Sequence, residues 1–169
     1  MKYISLVLAI LGAVLPAAGH FTAQHEVLPP RLLTVLPAEG LDKTGVVVVR
    51  DQATLNAHYY LADEAVLGLG KGTEAVFARY MAGRGEALLL VISYPSEEDA
   101  RRIYQSFGKD FFSKGFDGKN PRTLEKLETG DYAAAGTVRS VLIVVLEAPD
   151  RKSCEELIKR VEEKARLFF

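Results

Sequence analysis

EAVFARYMAGRGEALLLVISYPSEEDARRIYQSFGKDFF (residues 74–112) decides the fold. Residues 74–82 and 86–94 are rich in apolar, β-branched and aromatic side chains, as strands are. Between them stands Gly83-Arg84-Gly85, whose glycines supply the positive φ of a tight hairpin. Pro95-Ser96 then ends the strand pattern. Ser96 is a good helix N-cap with Asp99 three residues on, close to a capping box. Ala100, Ile103, Tyr104, Phe107 and Phe111 follow on one helical face. The order is strand, turn, strand, helix.

A weaker copy closes the chain: DYAAAGTVRSVLIVVLEAPDRKSCEELIKRVEEKARLFF (131–169). A shift of 54 residues sets Pro95 on Pro149 and Ala100 on Cys154. Ile103, Tyr104, Phe107 and Phe111 then fall on Leu157, Ile158, Val161 and Ala165, and Leu88, Leu90 and Ile92 on Leu142, Val144 and Leu146. The pattern predicts an α+β fold within one domain over 45–169. Its antiparallel sheet is built from two hairpin-plus-helix (ββα) repeats, at about 74–112 and 131–168, with both helices packed on one face. Residues 87–92 (ALLLVI) and 141–146 (VLIVVL) are apolar at every position. A strand with one wet face alternates, so both faces of these strands must be covered. With the helices on one face, the other falls to residues 20–72, a ligand or a partner.

Outward from this unit the signals weaken. Residues 113–122 read as a Gly/Asn/Pro connector, 123–128 as a strand, and Asp150 as the cap of the last helix. Residues 20–44 contain Pro29-Pro30 and Pro37 and are expected to form an extended N-terminal arm anchored by Leu28, Leu32, Leu33, Val35 and Leu36. A short strand is expected at 46–50. Residues 51–60 read either as a helical turn or as a loop returning into a strand. GLGKGT (68–73) is not a phosphate loop: Ala65 stands where the first glycine belongs, and Gly72 follows Lys71 in place of Ser or Thr.

The chain has 169 residues and a net charge of −1, and no Lys/Arg cluster marks a nucleic-acid groove. It starts MKYISLVLAILGAVLPAAG, a signal-peptide pattern over 1–19 with cleavage expected after Gly19. The apolar run 4–15 is short for a bilayer crossing, so no stable membrane span is expected after cleavage. The expected location is periplasmic or secreted. Cys154 is the sole cysteine, so no internal disulfide supports the exported domain, which must rely on burial.

Candidate chemistry is sparse. Cleavage after Gly19 leaves His20 at the N-terminus, where an amine and an imidazole chelate copper in secreted oxygenases; His25, His58 and Tyr59 or Tyr60 would complete such a site. The chain has no other similarity to those enzymes. Glu97-Glu98-Asp99 suits the first turn of a helix, and Asp63-Glu64 reads as a cap. Cys154 sits at a core-facing position without a nearby histidine, a place for a small apolar residue more than a nucleophile. No G-x-S-x-G elbow and no zinc spacing occurs. His58, Tyr59, Asp63 and Arg79 remain as ligand-binding candidates, with no catalytic residue and no cofactor assigned.

LNAHYYLADEAVLGLGKGTEAVFARYM (55–81), EALLLVISYPSEEDARRIYQSF (86–107) and VLIVVLEAP (141–149) resemble an uncharacterised family of secreted bacterial proteins, a domain of unknown function. The similarity spans about residues 32–165. It implies export and an α+β fold and brings no catalytic residues. Residues and resemblance together favour an exported, non-catalytic binding or interaction domain for a small molecule or protein. The alternatives are a homodimeric structural component of the cell envelope, joined through the second sheet face, and an enzyme whose site the sequence does not advertise.

Overall fold

The computed structural model describes residues 31–62, 65–70, 72–83, 85–112 and 116–169. The expected signal peptide (1–19), His20 and Asp63 lie outside them. A 3-10 helix, Arg31–Val35, precedes strand β1, Leu41–Val49, and the short helix α1, Gln52–Asn56. Strands β2, Glu74–Ala82, and β3, Gly85–Ser93, form the central hairpin, and helix α2, Glu97–Phe111, follows. Strands β4, Arg122–Lys126, β5, Tyr132–Val138, and β6, Val141–Ala148, lead into helix α3, Arg151–Phe168. The six strands make one antiparallel sheet in the order β1-β2-β3-β6-β5-β4. No helix among the described residues is long and apolar enough to cross a membrane.

Both long helices start where the sequence places them. Ser96 Oγ accepts from the Asp99 amide at 3.0 Å, and Asp150 Oδ1 accepts from the Ser153 amide at 2.9 Å. Each cap satisfies an amide that the first helical turn leaves without a partner.

The helices do not share a face, which corrects the expected packing. Ala100, Tyr104 and Phe107 of α2 pack with Phe77, Leu90, Ile92, Leu142, Val144 and Leu146. Cys154, Leu157, Ile158 and Val161 of α3 pack with Val76, Leu89, Val91, Val141, Ile143 and Val145 on the opposite face. The cause is a single residue in β6. Leu88 pairs with Glu147 but Leu89 pairs with Val145, and on the other side Ala134 pairs with Val145 but Tyr132 pairs with Ala148. One extra residue at Leu146–Glu147 makes a β-bulge. Because side chains alternate with period two, one inserted residue reverses the phase of all that follows. Strand β3 pairs with β2 without a slip, so Tyr94 leaves it on the α2 face. Ala148, the counterpart of Tyr94 in the repeat, leaves β6 on the α3 face.

Both faces are covered by the chain itself. Leu32, Val35 and Leu36 join α3 over one face. Leu55, Leu67 and Leu69 join α2 over the other, held by a Tyr94 Oη–H to Leu67 carbonyl bond of 2.7 Å. Each large aliphatic side chain so buried contributes about 1.5–3 kcal/mol. The arm is therefore not extended over its described part: 31–35 is helical, and from Leu41 the chain is already the edge strand. Expected anchors Leu32, Val35 and Leu36 are buried as read. β1 bulges between Asp42 and Val47, where Asp42 Oδ1 accepts from the Thr44 amide and hydroxyl at 2.9 and 2.7 Å.

Glu162 is the buried charge of the α3 face, at 7% exposure. Its carboxylate lies over Gly136, where a Cβ would sit 3.0 Å from Oε1, and faces Arg122 at 3.4 Å and Arg166 at 3.9 Å. Burial raises its pKa above the ordinary carboxylate value, and the two arginines only partly oppose that. A raised carboxyl pKa means the folded state holds the proton more tightly. Stability from this group is therefore lost as pH rises from the unfolded through the folded value. Glu162→Gln should melt higher than the parent at neutral pH, with the difference closing as the pH falls below the ordinary carboxylate range. Thermal melts of the pair across pH check this; a difference that grows on acidification contradicts it.

Candidate functional site

The site is built at the end of the α2 face nearest the β2–β3 turn, which α2 does not reach. Across β2, β3 and β6, Arg79 pairs with Leu88 and Leu88 with Glu147, so the three form a row. Leu88 is only partly buried, a floor for the patch. Glu147 belongs to this face because of the bulge: without the extra residue it would point under α3. Bulges commonly re-aim a side chain next to a binding site in this way.

Residues 57–62 form the opposite wall. α1 is capped by Asp51, whose Oδ1 accepts from the Thr54 amide at 2.7 Å, and anchored by fully buried Leu55. Asn56 Nδ2 donates to the Ala62 carbonyl at 2.8 Å, and Asn56 Oδ1 accepts from Gln52 Nε2 at 2.9 Å and from the Leu61 amide at 3.3 Å. These bonds close the loop on itself and carry His58 and Tyr59 back to the sheet. The His58 ring stacks on Phe77, with centroids 6.2 Å apart and planes 25° from parallel. Tyr59 Oη–H donates to Glu147 Oε1 at 3.1 Å. Arg79, two residues from Phe77 on the same strand face, makes an ion pair with Glu86 at 3.6 Å.

Three of the four residues nominated from sequence, His58, Tyr59 and Arg79, thus belong to one sheet face, on Phe77, on Glu147 and in the row with Leu88 respectively. Asp63 falls outside the described residues. Glu147, Glu86 and Leu88 were missed. The signal for Glu147 was present: it is the lone charge in the apolar run VLIVVLEA (141–148). Reading it needed the bulge, which reverses its face.

The electrostatics suit recognition. Burial, then the Glu147 charge, pushes the Tyr59 phenol well above its ordinary range, so it is a neutral donor at physiological pH. The patch offers an acceptor (Glu147), a cation (Arg79), an imidazole face and an apolar floor. Cys154 lies on the other side of the sheet, buried under α3, and burial followed by Glu155 and Asp150 pushes its thiol up to about 12. Such a thiol is protonated at neutral pH and a poor nucleophile. Among the described residues, no group of three or more His, Cys, Asp or Glu is placed to hold a metal ion.

Comparisons with known proteins returned no matching family model, no matching curated protein and no matching solved structure.

Removing the Tyr59 hydroxyl tests the wall of the site. Tyr59→Phe should lower stability by about 1 kcal/mol in urea unfolding, the usual worth of one such bond. Glu147→Ala combined with Tyr59→Phe should cost less than the sum of the two single changes. Additive costs would show that the pair does not interact.

Proposed function

We propose that this protein is an exported, non-catalytic binding domain that recognises a small molecule or a peptide at the Tyr59–Arg79–Glu147 patch. One observation carries the reading: a loop fastened by Asn56 sets His58 on Phe77 and Tyr59 on Glu147, the end of a row with Leu88 and Arg79 on an otherwise buried sheet. Rigid elements that present a half-exposed polar and aromatic patch lower the ordering cost of binding. Export rests on the leader-like residues 1–19, with a periplasmic or secreted location. Membership of the resembled family of secreted bacterial proteins is part of the same proposal. So is duplication of the hairpin unit: Leu90 and Ile92 share a sheet face with Val144 and Leu146, their counterparts at the 54-residue shift.

The homodimer alternative relied on an apolar second sheet face. α2 with Leu55, Leu67 and Leu69 occupies that face, so it has little apolar surface to give a second copy.

Two measurements test the proposal. Expression of the whole gene in a bacterial host should yield a processed chain starting at His20 in the periplasm or medium; an unprocessed cytoplasmic chain would overturn export. An NMR screen against fragment and short-peptide libraries should find ligands that shift amides at 58–60, 79, 86–88 and 147. Arg79→Ala with Glu147→Gln should abolish those shifts. Hits that all map elsewhere, or chemical turnover of a hit, would overturn the binding reading.

A further inference from the structure

A second concavity lies on the same side of the sheet but at the other end of α2, and it has a different chemistry. Residues 116–120 run back along α2. The Phe116 ring lies against Gly108, where a Cβ would be 2.2 Å from the nearest ring atom, so only glycine admits it. Gly118 follows beside Gln105, and Tyr104 Oη–H donates to the Asn120 carbonyl at 3.0 Å. The Thr137 amide then ties the connector to β5 through the Pro121 carbonyl at 3.0 Å. Helix, connector and the β5–β6 hairpin enclose a cleft of about 520 Å³.

Its lining is cationic. Arg101, Lys119 and Arg139 border it, against one carboxylate, Glu97. Glu97 is already bonded to Arg101 at 2.8 Å. Lys119 and Arg139 have no carboxylate partner within ion-pair distance among the described residues. The lining residues therefore sum to +2, three cations less one carboxylate, with Asp117 next to them, its Oδ1 accepting from the Lys119 amide at 2.9 Å, on a chain whose net charge is −1. Gln105 and Asn120 also line it.

Arg139 is also where it is at a conformational cost. It is the first residue of the two-residue β5–β6 turn and has φ 51°, the only non-glycine with positive φ among the described residues. Glycine or asparagine is the ordinary occupant of such a turn. A side chain with a Cβ is strained there. Among the described residues no hydrogen bond or ion pair of the Arg139 side chain offsets that strain, and the residue borders the cleft.

We propose that this cleft binds a phosphate group, with Arg139 and Lys119 taking its two negative charges and Gln105 and Asn120 the neutral part of the ligand. Guanidinium pairs with phosphate oxygens through two parallel bonds, and the ammonium adds a compact second charge. The site is independent of the Tyr59–Arg79–Glu147 patch.

Titration of the purified protein at low salt with inorganic phosphate, glycerol phosphate and malonate, followed by amide shifts, tests the assignment. Both phosphates should shift amides at 101, 105, 119–120 and 137–140 and leave 58–60 and 79 unmoved. Tighter binding of glycerol phosphate than of inorganic phosphate identifies a phosphorylated small molecule; the reverse identifies the free ion. Arg139→Gly separates binding from folding. It should melt higher, because glycine takes this φ freely, and should weaken phosphate about tenfold, the equivalent of about 1.4 kcal/mol. Absence of shifts at these amides at millimolar phosphate would overturn the proposal. So would malonate binding as well as the phosphates, or Arg139→Gly binding like the parent.

Discussion

Strand β6 has six consecutive apolar residues, so each of its faces must be buried, and the place where its alternation slips decides what buries each one. Before the bulge at Leu146–Glu147, β6 and β3 carry matching residues to matching faces. After it, β6 ends on the opposite face from β3. The two helices, each started by a cap directly after a proline, Ser96 and Asp150, are thereby sent to opposite sides of the sheet. If α3 followed the phase of β3, both helices would compete for one face. The other would then expose Val141, Ile143 and Val145 to water, at about 1.5–3 kcal/mol for each side chain uncovered.

The same slip links fold to site. It turns Glu147 away from α3 and onto the face where Tyr59 meets it. A carboxylate under α3 would have needed a second Glu162, with arginines around it and a glycine beneath. Instead the bulge leaves Glu147 half-accessible beside the partly buried Leu88, with Arg79 on the next strand. The short segments then complete the cover: the 3-10 helix at 31–35 closes one face, and α1 with residues 65–69 closes the other. Neither segment has the length to be stable alone; each is held by the side chains it buries.

Much of this was legible in the sequence. Strand and helix positions follow from the apolar periodicity of 74–112 and 131–168, and both caps follow from Ser96 and Asp150. The need to cover both faces follows from ALLLVI and VLIVVL. What sequence did not yield was the face each helix takes. Leu146-Glu147 has no residue that marks a bulge, no glycine and no proline, so the 54-residue correspondence carried straight through it and placed both helices together. The arm failed for a related reason: Pro29-Pro30 correctly bars helix at those positions but says nothing about Arg31–Val35, whose Leu32 and Val35 gain more by turning into the core. In the site, His58, Tyr59 and Arg79 were readable as a histidine, a tyrosine and a cation close to the hairpin. Glu147 needed the register, and the cationic cleft needed the connector's return along α2, a path set by the Phe116–Gly108 contact between residues that read only as connector and helix.

The assignment of α2 and α3 to opposite faces is tested most directly by NOEs between methyl groups and rings in the isotope-labelled protein. The account predicts contacts of Ile158 and Val161 with Ile143 and Val145, and of the Phe107 and Tyr104 rings with Leu142 and Val144, with no crossing between the sets. NOEs from both helices to the same alternate residues of β6 would contradict it.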